Sequence, residues 1–333
     1  MPCYSPLTGY VSREPSKKGK YPIVFDVRKG WIDRRVDVPC GQCIGCRLEH
    51  SRQWAVRCVH EASLYDDNCF ITLTYDDDHL PENGSLVKAD YQKFMKRLRK
   101  RFGSGVRYFH CGEYGEKNGR PHHHACLFNF RFPDCERLDL AGRLADLPPL
   151  YISQSLSELW PFGLHTIGDV TFDSAAYVAR YVTKKITGDR AASHYGDRVP
   201  EYTTMSRRPG IGRQWYEKFK SDCYPSDEVV TAVLAPEYVT MSRRPGIASG
   251  WFEKFGSDVY PGDFVVIRGR KMRPPRYYDN FLKLSSPLDF EEVHFERWKN
   301  AQLHLDNQSE ERLNVRHEVQ KARLRKLPRN LES

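Results

Sequence analysis

No apolar run in the 333-residue chain approaches the roughly 20 residues a bilayer-crossing helix needs, so no membrane partner is expected. The opening stretch MPCYSPLTGYVSREPSKKGK has no apolar core, which argues against a secretory signal. No G-x-x-x-x-G-K-[ST] run occurs, so a P-loop motor is not expected. Internal repetition stops at two copies, fewer than the three or more units a solenoid needs. The ten cysteines, without a signal segment, are expected to be reduced, so clusters of them read as metal sites sooner than disulfides. Charged residues make up 29% and hydrophobic ones 40%, an ordinary globular balance. The net charge of +9 favours a polyanionic partner.

Four stretches organise the chain. Residues 1–60 are a Cys-containing, irregular segment ending in a helix, "CRLEHSRQWAVRCVHEASLY". Residues 61–190 carry the regular patterning. "CFITLTY" (69–75) is β-branched and aromatic, a strand. "LVKADYQKFMKRLRKRFG" places Tyr91, Phe94, Met95, Leu98 and Phe102 at helical spacing and stops at Gly103. "VRYFHCGEYG" and "PHHHACLFNF" are two strands joined by the turn-rich "EKNGR". "YISQSLSELW" reads as helix, "GLHTIGDVTF" as strand, and "DSAAYVARYVTKKITG" as a short helix capped at Asp173 or Ser174 and closed at Gly188. This order predicts an α+β fold: a largely antiparallel sheet with helices on one side. Residues 191–280 hold a duplicated basic module, 201–230 and 237–266, aligned without a gap and identical at 21 of 30 positions. Residues 281–333 form a charged, helix-forming tail.

Three clusters carry candidate chemistry. The run His122, His123, His124 lies on a strand of period two, so His122 and His124 share a face and His123 points the other way. Two imidazoles so placed can grip one divalent ion; a polar turn of solvated histidines is the plainer alternative. Tyr177 and Tyr181 stand at i, i+4, with Lys184 three residues on, so all three share one helix face. Core aromatics are the commoner fate of such a pair, yet a tyrosine oxygen beside a metal can attack a phosphodiester and leave a 5′-phosphotyrosine link. "CGQCIGC" (Cys40, Cys43, Cys46) gives two overlapping C-x-x-C steps, with Cys3 as a fourth thiolate, the pattern of structural zinc. Candidate DNA contacts are Lys96, Arg97, Lys100 and Arg101 on the basic helix, and the arginine pairs Arg207/Arg208 and Arg243/Arg244 in the two "SRRPG" turns. A tryptophan follows each pair and suits base stacking.

"GRPHHHACLF", "YVARYVTKK" and the preceding "FITLTY", in that order and with "CGEYG" and "VPCGQCIGC", resemble the motifs of gokushovirus replication initiators, in the two-tyrosine branch of the HUH endonucleases. The resemblance implies a central antiparallel sheet flanked by helices, with His122, His124 and Glu113 as ligands of Mg²⁺ or Mn²⁺; His110 and His165, which fall on no position that the motif assigns, are fallback ligands. It implies Tyr177 and Tyr181 as alternating nucleophiles that nick an origin and rejoin the displaced strand, with Lys184 steadying the phosphate. Single-stranded and supercoiled origin DNA, host helicase and host DNA polymerase would be the partners, in the cytoplasm of a bacterial host. His123 stands where the family has a hydrophobic residue, and Arg180 where such initiators often carry lysine. A related transposase- or relaxase-like enzyme and a non-catalytic single-strand binding protein are the alternatives.

Overall fold

The computed structural model describes residues 3–17, 19–115, 118–138, 148–184, 190–223, 263–267, 269–285 and 287–325; for residues 180–184, 190, 220–223, 285, 324 and 325 only the backbone is described. The chain divides into two compact units, Met1–His50 with Arg297–Ser333, and Ser51–Glu296.

In the first unit, strands β1 (Leu7–Ser12), β2 (Ile23–Val24) and β3 (Gly30–Val38) form an antiparallel sheet of order β2-β1-β3. The sequence pattern gave no warning of it. Seven successive residues of β3, Trp31 to Asp37, are exposed, so no alternation of apolar and polar positions marks the strand. Helix α1 (Ile44–Ala62) begins in this unit, directly after Cys43. The helix Glu310–Arg325 closes the unit.

The second unit is built on a seven-stranded sheet. Its strands are β4 (Asn68–Thr74), β5 (Arg107–Tyr114), β6 (Pro121–Phe128), β7 (Glu136–Arg137), β8 (Tyr151–Ile152), β9 (His165–Gly168) and β10 (Tyr202–Met205). Their order is β10-β5-β6-β4-β9-β8-β7, and every pair is antiparallel. Strand β10 comes from the duplicated stretch past residue 190 and pairs with β5, so the central sheet draws on more chain than 61–190.

Helices cover both faces of this sheet, not one. Period two explains why: β6 is buried at nearly every position and, with β4, sends alternate side chains to separate cores. Ile71, Leu73, Ala125 and Leu127 pack with Tyr91, Phe94, Met95 and Leu98 of α2 (Lys88–Phe102) and with Leu156 and Leu159 of α3 (Gln154–Leu159). Phe109, Cys111, Cys126 and Phe128 pack on the opposite face with Ala55 and Cys58 of α1 and with Ala175, Val178 and Ala179 of α4 (Phe172–Lys184). Each fully buried Leu, Ile or Phe here contributes about 1.5–3 kcal/mol of transfer free energy. Gly103 ends α2 at φ +101°, its amide bonded to the Arg99 carbonyl.

The start of α4 differs from expectation. Thr171, not Asp173 or Ser174, caps the helix: its Oγ1 accepts the Ser174 amide at 3.1 Å, while Ser174 Oγ accepts the Thr171 amide at 2.8 Å. This reciprocal pair is a capping box with serine in place of glutamate. Ser51 Oγ donates to the Ala176 carbonyl at 3.1 Å, fixing α4 against α1 one residue before Tyr177.

The first copy of the duplicated module contributes β10, the turn at Ser206–Gly210 and helix α5 (Arg213–Cys223). Trp215, in α5, is fully buried, its ring centroid 3.4 Å from that of His60. It is a core residue and offers no surface for base stacking. The turn is held by Glu61, which accepts the Gly212 amide at 2.7 Å and pairs with Arg107, whose other nitrogen donates to the Pro209 carbonyl. Gly212 has φ +76°, and a Cβ there would lie 2.8 Å from the Tyr278 hydroxyl, so this position requires glycine. Of the second copy, residues 237–262, with Arg243, Arg244 and Trp251, lie outside the described residues.

Candidate metal and nucleophile site

On the α1/α4 face of the sheet, Glu113 of β5 is the register partner of His122 on β6, and His124 lies one step further along. Antiparallel pairing puts all three side chains on one face. Each of them offers one ligand atom, and these atoms lie within 4.8 Å of one another. Glu113 Oε1 is 2.9 Å from His122 Nε2 and 2.6 Å from His124 Nε2. The carboxylate is 1% exposed, and its second oxygen, Oε2, has no hydrogen-bond partner among the described residues. A buried, unsatisfied carboxylate oxygen beside two imidazoles is the donor set of a hard or borderline divalent cation, so the residues fit the expected metal.

The far side of each ring orients it. His122 Nδ1 donates to the Arg120 carbonyl at 3.0 Å, which fixes the ring with Nε2 turned to Glu113. His124 Nδ1 meets Thr72 Oγ1 at 2.9 Å, across the β4–β6 pair in which Thr72 is its register partner. Thr72 was not legible as a site residue; only strand pairing assigns it to His124. Burial pushes the Glu113 carboxyl up, but His124 and His122 together pull it below its ordinary value.

Tyr177 reaches the same point from α4. Its hydroxyl donates to Glu113 Oε1 at 3.2 Å, and its ring stands edge-on to His124 at 5.0 Å. Tyr181 and Lys184 lie on the same helix; their side chains fall outside the described residues, as does that of Arg180.

The fallback ligands are occupied elsewhere. His165 Nε2 accepts the Ser153 amide at 3.2 Å. His110 faces the opposite side of the sheet, as does His123, and the two join a buried chain of hydrogen bonds. Tyr75 donates to Asp90 Oδ2 at 3.1 Å and meets His123 Nε2 at 3.3 Å; His123 Nδ1 meets His110 Nε2 at 3.2 Å, and His110 Nδ1 meets Thr204 Oγ1 at 2.8 Å. Because Asp90 can only accept, the donors run one way: Thr204 to His110, His110 to His123, His123 to Tyr75, Tyr75 to Asp90. Both rings are therefore neutral Nε2–H tautomers. Burial supports this, holding His110 well below the ordinary histidine value and His123 down at about 3. A polar residue thus fits the usually hydrophobic middle position because its partners satisfy it.

The basic helix face is partly committed to structure. Arg97 donates twice to the Leu159 carbonyl, at 3.1 and 2.7 Å, Arg99 twice to the Val106 carbonyl, and Arg101 pairs with Glu158. Lys96 and Lys100 are exposed, as are Arg207 and Arg208.

In the first unit, Cys3, Cys40, Cys43 and Cys46 converge, their sulfurs within 4.8 Å of one another. Burial raises the Cys3 thiol. At Cys43 burial works in the same direction, but the Tyr4 amide and neighbouring donors outweigh it and bring the thiol down to about 7.

Residues 68–186, which include the Glu113–His122–His124 group and α4, match the family model of replication-associated protein ORF2/G2P. The chain is 39% identical to replication-associated protein VP4 of Bdellovibrio phage phiMH2K over 200 residues, 58% of this chain and 61% of the relative. The resemblance to gokushovirus-type replication initiators is thereby shown. It is also 38% identical over 217 residues to replication-associated protein ORF2 of Spiroplasma virus 4, covering 62% of this chain and 65% of that one. Replication-associated protein ORF4 of Chlamydia phage 1 is 36% identical over 182 residues, 52% and 45% of the two chains. The matched stretches thus span less than two thirds of these relatives' lengths. No solved structure matches the chain. Among the described residues no helix is long and apolar enough to cross a membrane.

Proposed function

We propose that this protein initiates rolling-circle replication of a single-stranded DNA phage genome by nicking the origin through a tyrosine. The observation that carries the reading is the Tyr177 hydroxyl 3.2 Å from Glu113, a carboxylate that also touches His122 and His124. Mg²⁺ or Mn²⁺ held by Glu113, His122 and His124 would polarise the scissile phosphate and offset charge on the leaving oxygen.

The chain's own residues do the rest. Glu113 accepts the Tyr177 proton in a hydrogen bond and so aims a lone pair of the phenol oxygen at the phosphate. Attack forms the tyrosine O–P bond and breaks the P–O3′ bond. The tyrosine proton ends on the 3′ oxygen, freeing a 3′-OH that primes synthesis, while the 5′ phosphate stays on the protein. Attack by Tyr181, one helical turn along α4, on the regenerated origin forms a second tyrosine O–P bond and frees a new 3′-OH. That oxygen attacks the phosphate held on Tyr177, breaks the Tyr177 O–P bond, passes its proton to the phenol oxygen and closes the first strand into a circle. Lys184 steadies the phosphate. Lys96, Lys100, Arg207 and Arg208 hold the DNA backbone by charge. Unwinding and synthesis fall to a host helicase and polymerase in the bacterial cytoplasm.

The test is a denaturing gel of protein with labelled single-stranded fragments of phage origin DNA, with Mn²⁺ or with EDTA. Metal-dependent label on the protein band, lost in the Tyr177→Phe/Tyr181→Phe double variant, is the expected result. Retardation on native gels with no covalent product from any fragment would replace this reading with that of a single-strand binding protein.

A further inference from the structure

We infer that Cys3, Cys40, Cys43 and Cys46 bind a single zinc ion as a tetrathiolate, a structural site separate from the Glu113–His122–His124 group. Spacing in the sequence allows several fates for such cysteines. The geometry separates them. With Zn–S bonds of about 2.3 Å, four sulfurs at the corners of a tetrahedron lie about 3.8 Å apart. Cys3 Sγ is 3.7 Å from Cys40 Sγ and 3.9 Å from Cys43 Sγ, and all four sulfurs fall within 4.8 Å. That is the edge of a one-ion tetrahedron. An iron–sulfur cluster spreads its cysteines over more than one iron and holds them farther apart. A disulfide needs sulfurs at about 2 Å, and all four of these cysteines are free.

The backbone is arranged for thiolates. Backbone amides donate to three of the four sulfurs: Tyr4 to Cys43 Sγ at 3.3 Å, Cys40 to Cys3 Sγ at 3.3 Å, and Cys43 to Cys40 Sγ at 3.2 Å. Binding Zn²⁺ releases four thiol protons and leaves the centre at a formal charge of −2, which these N–H···S bonds spread into the backbone. The site ties pieces that are far apart in sequence. Cys3 lies before β1, Cys40 and Cys43 follow β3, and Cys46 is in the first turn of α1. Tyr4, next to Cys3, stacks on His317 of the helix Glu310–Arg325 with ring centroids 5.3 Å apart. The three-stranded sheet leaves most of β3 exposed and so has little apolar core of its own. An ion that binds only the folded arrangement adds its affinity to the stability of this unit.

The experiment uses the full-length protein, purified under reductant without chelator. Elemental analysis is expected to find one zinc per chain, released to a chromogenic chelator as a mercurial titrates the thiols. The His122→Ala/His124→Ala variant keeps that zinc; Cys43→Ser and Cys43→Ser/Cys46→Ser lose it. If the serine variants aggregate, the wild-type chain grown with cobalt gives the second measurement: thiolate-to-cobalt charge transfer with the intense visible bands of tetrahedral Co²⁺. Zinc lost with the histidines but retained by the cysteine variants overturns the proposal. So does iron with equimolar sulfide, or a metal-free chain whose thiols all react at once with a disulfide reagent.

Discussion

Three buried histidines should make the second unit sensitive to acid well above the carboxylate range. His60, His110 and His123 are all 0% exposed, and burial depresses each of them, His123 to about 3 and the others well below the ordinary value. A group depressed in the folded state is protonated only on unfolding, so stability falls as pH drops below the unfolded histidine value of about 6.5. At pH 5.5 an unfolded histidine gains RT ln(1 + 10), about 1.4 kcal/mol, and at pH 7.5 less than about 0.1. Three such groups together remove about 4 kcal/mol between the two pH values, a large share of a domain's net stability. Glu113 does not contribute in that window. Its carboxyl is also depressed, and its share of stability is lost only as pH falls below the ordinary carboxylate value. Urea denaturation at pH 7.5 and 5.5, followed by tryptophan fluorescence, measures the difference. His123→Phe lowers stability at both pH values, because Tyr75 and His110 lose a partner, but cuts the pH-dependent part by about a third. Equal stability at the two pH values, or an undiminished difference in His123→Phe, refutes the neutral buried relay.

The other expectations follow from single contacts. Thr72→Val removes the partner of His124 Nδ1 while keeping shape, and should weaken Mn²⁺ binding by about 10- to 100-fold in calorimetry with little change in melting temperature. Trp215→Ala should cost about 3–5 kcal/mol of stability because the ring is a core residue; an unchanged melting temperature with weakened DNA binding would restore it as a stacking platform. Lys96→Ala/Lys100→Ala should flatten the salt dependence of DNA binding by up to about two phosphate contacts and leave thermal stability within about 0.5 kcal/mol, whereas Arg97→Ala should lower the melting temperature. Thr171→Ala should cost about 1 kcal/mol through loss of the α4 cap, measured by denaturation.

Much of the second unit was legible because its signals are local. A strand's period of two is enough to put His122 and His124 on one face and His123 on the other, and the spacing in α2 names the four residues it buries. The apolar periodicity and Gly103 place that helix to within a residue or two of Lys88–Phe102. What sequence leaves open is whatever depends on which strands become neighbours. Pairing of β5 with β6 sets Glu113 opposite His122, and pairing of β4 with β6 sets Thr72 opposite His124. The hairpin turn between β5 and β6 points to the first relation; nothing along the chain points to the second. The same holds for Trp215, which follows an arginine turn as a stacking residue would, yet is buried against His60 because Glu61 and Arg107 dock that turn onto the sheet.

Residue type and spacing by themselves determined the chemistry available to this protein: imidazoles one strand-step apart, tyrosines one helical turn apart, thiols in C-x-x-C steps. Tertiary structure alone decided which of these groups meet. It brought Glu113, His122, His124 and Tyr177 to one point and turned His110 and His123 to the other face of the sheet. It also brought Cys3 across 37 residues to Cys40. The reason is physical. Periodicity fixes where a side chain points from its own backbone, while register and packing between distant segments fix what it points at.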